Sequence, residues 1–277
     1  MRIRFGPPFY LLGIIELSLH GSAFAEAPNP TLKDRLTFKV GAIYNDIDGT
    51  VTVRRAPLPT TPIDFDDVGL DEDQINPWVG LRWRFGERWA LNFHYDRYDK
   101  DAKTVVEKEF NFDGVVYPFG ARIDTNIRAD AYVMDVSYSI FKQHNYEAGV
   151  GLGIHAFDMS TSIKGSIRIA DREEQVASAE EDLIAPVPNF RLYGIYALNS
   201  RISFNLNAGW LGASYEDWDG RFLYIRGSGD YRFSKRWSVG LGFQYTDIDV
   251  EHDRNNGDFE EYEADLLGVQ GYVSYSF

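Results

Sequence analysis

The chain is predicted to be all-β: a single antiparallel up-and-down barrel that crosses a membrane. Three observations carry this. In residues 267–277, Leu267, Val269, Gly271, Val273 and Tyr275 share one face with Phe277, while Gly268, Gln270, Tyr272, Ser274 and Ser276 share the other, the two-residue period of a strand with one side for lipid and one for water. Mean hydropathy is only −0.33 although 15% of residues are aromatic. Such a composition hides its backbone in lipid only as a closed barrel, because no segment after the first few dozen residues suits a spanning helix. Finally, alternating segments recur along the whole chain, joined in turn by a long polar connection and a very short one.

The amino terminus fits export. Arg2 and Arg4 precede an apolar run from Phe9 to Leu19, and Ala23, Phe24 and Ala25 form a small-x-small cleavage pattern, as in a secretory signal. Residues 1–25 are expected to be removed, leaving 26–277 as the barrel with long outer loops. Two Arg and one Glu leave with them, so 26 Lys plus Arg face 41 Asp plus Glu, a net charge of −15. That balance excludes a nucleic-acid partner, which needs a basic footprint. The absence of cysteine excludes disulfides, thiol catalysis and thiolate metal sites. A last strand ending on Tyr275 and Phe277 resembles that of small Gram-negative outer-membrane barrel proteins. The resemblance implies a location in the outer membrane, a monomeric barrel in contact with outer-membrane lipid and lipopolysaccharide, and a C-terminal strand read by the barrel-assembly machinery.

The short connections are 86–88, 142–145, 199–200 and 234–236, each followed by a strand whose first lipid-side residue is apolar: Trp89, Tyr146, Ile202 and Trp237. Taken as periplasmic turns, four of them imply ten strands with both ends in the periplasm. Their expected spans are 35–54, 74–85, 89–110, 120–141, 146–170, 184–198, 201–216, 220–233, 237–251 and 260–277. Eight would follow if one hairpin lay wholly outside the membrane, and twelve if 101–130 held an extra pair. A transmembrane strand needs about 9 to 11 residues, so the excess length should project beyond the outer surface, as polar outer halves such as 99–103 and 247–251 suggest.

The faces opposite the lipid carry a set of charges: Arg82, Arg84, Asp96, Asp135, Glu147, Arg191, Arg226, Asp230 and Arg232. A barrel of about eight strands is just filled by its side chains, so ten leave little free cross-section, and unpaired charge there would be costly. These residues are expected to form an internal ion-pair network, with a narrow path for a small anion or polar solute as the functional alternative. Glycines on the same face, Gly149, Gly151, Gly153, Gly240 and Gly242, leave room for bulky lumen side chains. Their spacing is not a dinucleotide fingerprint.

Two acidic stretches fall in outward connections. Residues 64–73 lack the ligand spacing of a Ca²⁺ loop and are expected to fold partly against the barrel through Phe65, Val68 and Leu70; 172–175 with 180–182 should mark the largest outer loop. Neither is assigned a metal, and no cofactor is indicated. An enzyme would require convergent groups. A barrel of ten strands resembles the omptin proteases in strand number, and acidic residues with a histidine at the outer rim would here be Asp46 and Asp48, or Asp247, Asp249 and His252. No wider omptin-like pattern accompanies them. A lipid hydrolase would need His94 or His155 beside an activated Ser160 or Ser162, without any nucleophile elbow. The sequence therefore favours a non-enzymatic barrel that passes small solutes or supports the envelope, over a surface-recognition barrel acting through acidic loops and over a hydrolase.

Overall fold

The computed structural model describes residues 29–54, 62–68, 74–112, 115–169, 172–215, 217–253 and 257–277; residues 1–25, expected to be a signal segment, and Leu70 lie outside them. A 3₁₀ turn, Pro30–Leu32, is followed by β1 (Leu36–Arg54), the short β2 (Ile63–Asp64) and a second 3₁₀ turn, Asp66–Val68. Then come β3 (Gln74–Arg84), β4 (Trp89–Val105), β5 (Phe110–Phe112), β6 (Val115–Tyr117), β7 (Arg122–Lys142), β8 (Tyr146–Ile169), β9 (Arg172–Ala197), β10 (Ile202–Tyr215), β11 (Trp218–Arg232), β12 (Trp237–Asp253) and β13 (Phe259–Ser276). β1, β3, β4 and β7 to β13 pair antiparallel with their neighbours, and the sheet closes because β13 also pairs with β1, from Thr37 opposite Ser276 to Arg54 opposite Phe259. Closure leaves no long edge unpaired, the condition for putting a sheet into lipid. The Phe277 N–H donates to the Leu36 carbonyl at 2.9 Å, so both ends of the ring meet at one rim.

The lipid face is as the alternation requires. On β12, Trp237, Val239, Leu241 and Phe243 point outward, and Leu241 is 72% exposed. Aromatic pairs bound the apolar belt at both ends: Trp89 with Tyr138 and Trp237 with Tyr275, each at 4.8 Å, near the short turns, and Tyr95 with Tyr132 at 5.0 Å on the other side. From Trp237 to Tyr245 is eight residues, roughly 27 Å along a strand. At a tilt of about 40° that is roughly 20 Å along the membrane normal, close to the belt of about 25 Å expected of such barrels.

Beyond that belt the polarity of the wall reverses. Asp247, Asp249 and Glu251 occupy the outward positions of β12, and Ile248 and Val250 the inward ones; on β13, Glu261, Glu263 and Asp265 face out while Tyr262 faces in. Inside this outer half, Val51, Val53, Ile123, Ile127, Ile163 and Tyr262 pack with Ile63 and Val68 and with Phe110 and Tyr117. Phe110 stacks on Tyr117 at 4.9 Å, and the Tyr117 hydroxyl donates to the Ile163 carbonyl at 2.7 Å. The β5–β6 hairpin is a sheet of its own and adds no strand to the ring.

Two expectations need correction. The acidic run at 172–182 is not a loop: β9 starts at Arg172, and its backbone pairs with β8 down to Arg172 opposite Ile169. The physical reason is that β8 extends to Ile169, and an unpartnered outer half would leave its N–H and C=O groups without ladder partners. β4 ends at Val105 rather than near 110, because Val106 turns into the apolar interior. Of the acidic stretch 64–73, the described part behaves as expected: Val68 is buried and Phe65 packs against the same interior.

Candidate functional site

The lumen of the inner half holds the charged residues, and the period of two explains how they meet. Arg82 and Arg84, two apart on β3, both reach Glu147 at the start of β8: Arg82 Nη2 lies 2.9 Å from Oε1 and Arg84 Nη2 lies 3.0 Å from Oε2. Ser139 and Tyr193 hydroxyls donate to the same carboxylate at 2.8 and 3.1 Å. A carboxylate with no side-chain exposure survives only with such a set of donors.

One layer further up, Arg191 donates through Nη1 to both Asp135 oxygens, at 2.5 and 2.7 Å, and through Nε to Asn207 at 3.1 Å. Asn92 adds a bond to Asp135 at 2.8 Å. Asp230 takes hydrogen bonds from Tyr272 at 2.9 Å and Asn205 at 2.6 Å, with Lys39 Nζ at 3.7 Å. The Tyr272 ring fits because Gly240 presents no side chain: a Cβ there would overlap the ring, as one at Gly209 would overlap Tyr224. Asp96 is held by His94 Nε2 at 2.8 Å. His94 in turn packs against Trp78 at 5.1 Å, and His155 lies against Phe222 at 4.3 Å.

The nine expected lumen charges thus face inward but form separate groups rather than one network. Arg82, Arg84 and Glu147 make one and Asp135 with Arg191 another. Asp96 is taken by His94 and Asp230 by Lys39. Arg232 leaves the set altogether and pairs with Asp34, also donating to the Lys235 carbonyl at 3.0 Å. Asp34 follows the 3₁₀ turn at Pro30–Leu32, which tucks into the mouth beside the short turns. Leu32 packs against Tyr193, Ile195 and Ala197, and the Asn29 amide donates to the Asn199 carbonyl at 2.8 Å. This stopper was not foreseen; a leucine and an aspartate before a strand carry no periodic signal. Tyr275 and Phe277 lie on the outer surface, 4.8 Å apart edge to face.

The hydrolase candidates do not converge. Asp249 is on the outward face of β12 and His252 on the inward face, where Nδ1 is 3.5 Å from Glu260. His155 faces the lumen, whereas Ser160 and Ser162 pair with Arg128 and Asn126 on the outward side of β7; five residues of strand also separate His155 from Ser160 by about 16 Å. Asp46 and Asp48 are exposed on the outer wall, and Asp48, Asp265 and Asp247 stand abreast on three adjacent strands. Nearby, carboxylate oxygens of Asp249, Glu261 and Glu263 lie within 4.8 Å of one another, the one grouping among the described residues with the spacing to take a cation. Burial, then Glu263, Glu251 and Asp249, pushes the Glu261 carboxyl above its ordinary range; burial and Asp265 do the same to Asp247. Around the wall, burial would also raise Asp130, but hydrogen bonds from Arg97, Tyr95 and Arg128 outweigh it and hold the group below its ordinary range.

No known sequence family matches the chain, and no curated protein matches it by sequence. Solved structures do match. The outer membrane protease OmpT from Escherichia coli superposes with a TM-score of 0.59 at 10% identity, covering 92% of this chain and 99% of that one. The translocator domain of the autotransporter NalP from Neisseria meningitidis gives 0.44 at 11% identity, covering 87% and 88%. A Pseudomonas aeruginosa FadL homologue gives 0.38 at 10%, covering 90% and 92%. The OmpT superposition carries the likeness, and at 10% identity it is one of fold alone: a closed antiparallel β-barrel.

Proposed function

We propose that this chain is a non-enzymatic integral barrel of a Gram-negative outer membrane. It crosses with ten strands, keeps both termini in the periplasm after removal of residues 1–25, and supports the envelope as a closed wall rather than an open pore. Outer-membrane lipid and lipopolysaccharide would surround the belt, and Tyr275 and Phe277 would serve as the signal to the assembly machinery. The observation that carries the reading is the double stoppering of the lumen. The Pro30–Leu32 turn with Asp34 fills one mouth, and an apolar core with Ile63, Val68, Phe110 and Tyr117 fills the other. Between them Arg82, Arg84 and Arg191 are committed to carboxylates rather than lining a water-filled path.

Single-channel recording of the refolded chain in a planar bilayer tests it. The expected result is no steady conductance, from the wild type or from the double variant Arg82→Ala and Arg84→Ala. Steady steps altered by that change would establish a solute path and overturn the closed reading. A second reading, recognition through the acidic outer wall, has support from the carboxylates abreast on β1, β13 and β12: like charges placed directly opposite destabilise a sheet, so a cationic partner would relieve them.

A further inference from the structure

Midway along the lumen, between the two stoppers, lies a cavity of ≈ 190 Å³. Its polar lining is incompletely satisfied. Gln270 and Gln244 are 3% and 6% exposed, and among the described residues each has an Oε1 with no hydrogen-bond partner and the buried Trp78 has an unpartnered Nε1–H. Arg226 sits opposite Gln244 in the strand register and lines the same cavity. Its Nε has no partner among the described residues; Asp96, on the same cavity wall, accepts a hydrogen bond from His94 at 2.8 Å, and no direct ion pair joins it to Arg226 among those residues. Cations also outnumber carboxylates locally, because Arg82 and Arg84 share the single group of Glu147.

Buried polar groups in this state ask for a partner. A guanidinium fork favours the planar or tetrahedral oxygens of a carboxylate or phosphate. The Trp78 N–H adds a second donor, and the Gln244 and Gln270 amides, whose oxygens have no donor to hold them, can turn their NH2 groups to an anion. The volume is below the roughly 300 Å³ at which drug-sized sites begin, which limits the occupant to a few heavy atoms.

We propose that this chamber is a binding site for a small oxyanion, a carboxylate or phosphate, held by Arg226 with Trp78, Gln244 and Gln270. Entry is past the Pro30–Leu32 turn from the periplasmic side. The proposal rests on the closed-barrel reading, and the two fail differently: conductance reports on the stoppers, binding on the chamber.

The test is overnight equilibrium dialysis of the full refolded chain in detergent, its folding checked by the gel shift of unheated samples, against inorganic phosphate and, separately, acetate. Saturable binding at one site per chain is expected. Arg226→Gln should weaken it at least tenfold and Gln270→Leu several-fold, while Arg97→Gln, on the outer wall, leaves it unchanged. Tighter phosphate binding assigns a phosphate compound, and tighter acetate binding a carboxylate. With the dialysis sampled at intervals before equilibrium, Asp34→Asn should reach the same final binding sooner, without a change in affinity. No saturable binding of either probe to the wild type and to Asp34→Asn, or equal weakening by Arg226→Gln and Arg97→Gln, overturns the proposal.

Discussion

The inner and outer halves of the barrel are built from the same strands with opposite polarity. In β12, Leu241 and Phe243 face outward and Gln244 inward; past Tyr245, Asp247 and Asp249 face outward and Ile248 and Val250 inward. Nothing in the backbone changes at that level, since the ladder of β12 with β13 runs without a break from Trp237 to Asp253. The solvent outside changes. In lipid, the exterior must be apolar and the interior can hold charge only as satisfied groups; in water, the same tube folds like a soluble barrel around an apolar core. The same kind of substitution should therefore have opposite effects in the two halves.

The largest effect is expected at Glu147. Removing the one carboxylate that answers Arg82 and Arg84 leaves buried charge uncompensated, so Glu147→Ala should cost about 3 to 5 kcal/mol, read by urea titration in lipid vesicles. Next is Leu241→Arg, a cation on the lipid face near the middle of the belt, which should cost about 2 to 4 kcal/mol; Asp249→Arg, the fourth outward position beyond it on the same strand, should cost nothing measurable. Gly240→Ala tests the packing of the inner half: the added methyl overlaps the Tyr272 ring, and displacement of that ring should cost about 1 to 3 kcal/mol.

Two smaller effects divide the outer wall by the sign of their pH dependence. Asp130 is held below its ordinary range by its donors. Its contribution is therefore present above the unfolded carboxylate value and lost as pH falls through the folded one. Asp130→Asn should cost about 1 to 2 kcal/mol at pH 7 and nothing in acid. Glu261 is held above its range by burial and its acidic neighbours, so its ionisation opposes folding once pH exceeds the unfolded value. Glu261→Gln should stabilise by about 0.2 to 1 kcal/mol at pH 7, a gain that disappears below about pH 4.

Alternation made the ring legible in the sequence: wherever lipid lies outside, a period of two with aromatic ends marks face and strand together, as from Trp237 to Tyr245. It also placed all nine lumen charges on the inward face. Their partners were not legible, because Arg82 and Glu147 are 65 positions apart and only the register of strands between them decides that they meet. Nor was the continuation of β9 through 172–182, where the sequence shows a charge run and pairing with β8 decides the structure. Asp34 and Leu32 act through tertiary fit alone.

The polarity reversal at the level of Tyr245 is tested most directly by labelling. The chain has no cysteine, so single replacements along the outward face of β12 report one site each to a membrane-impermeant maleimide in reconstituted vesicles. Leu241→Cys and Phe243→Cys should resist labelling, and Asp247→Cys, Asp249→Cys and Glu251→Cys should react readily. Uniform reactivity along all five positions would contradict a membrane boundary there, and with it the division of the barrel into two halves.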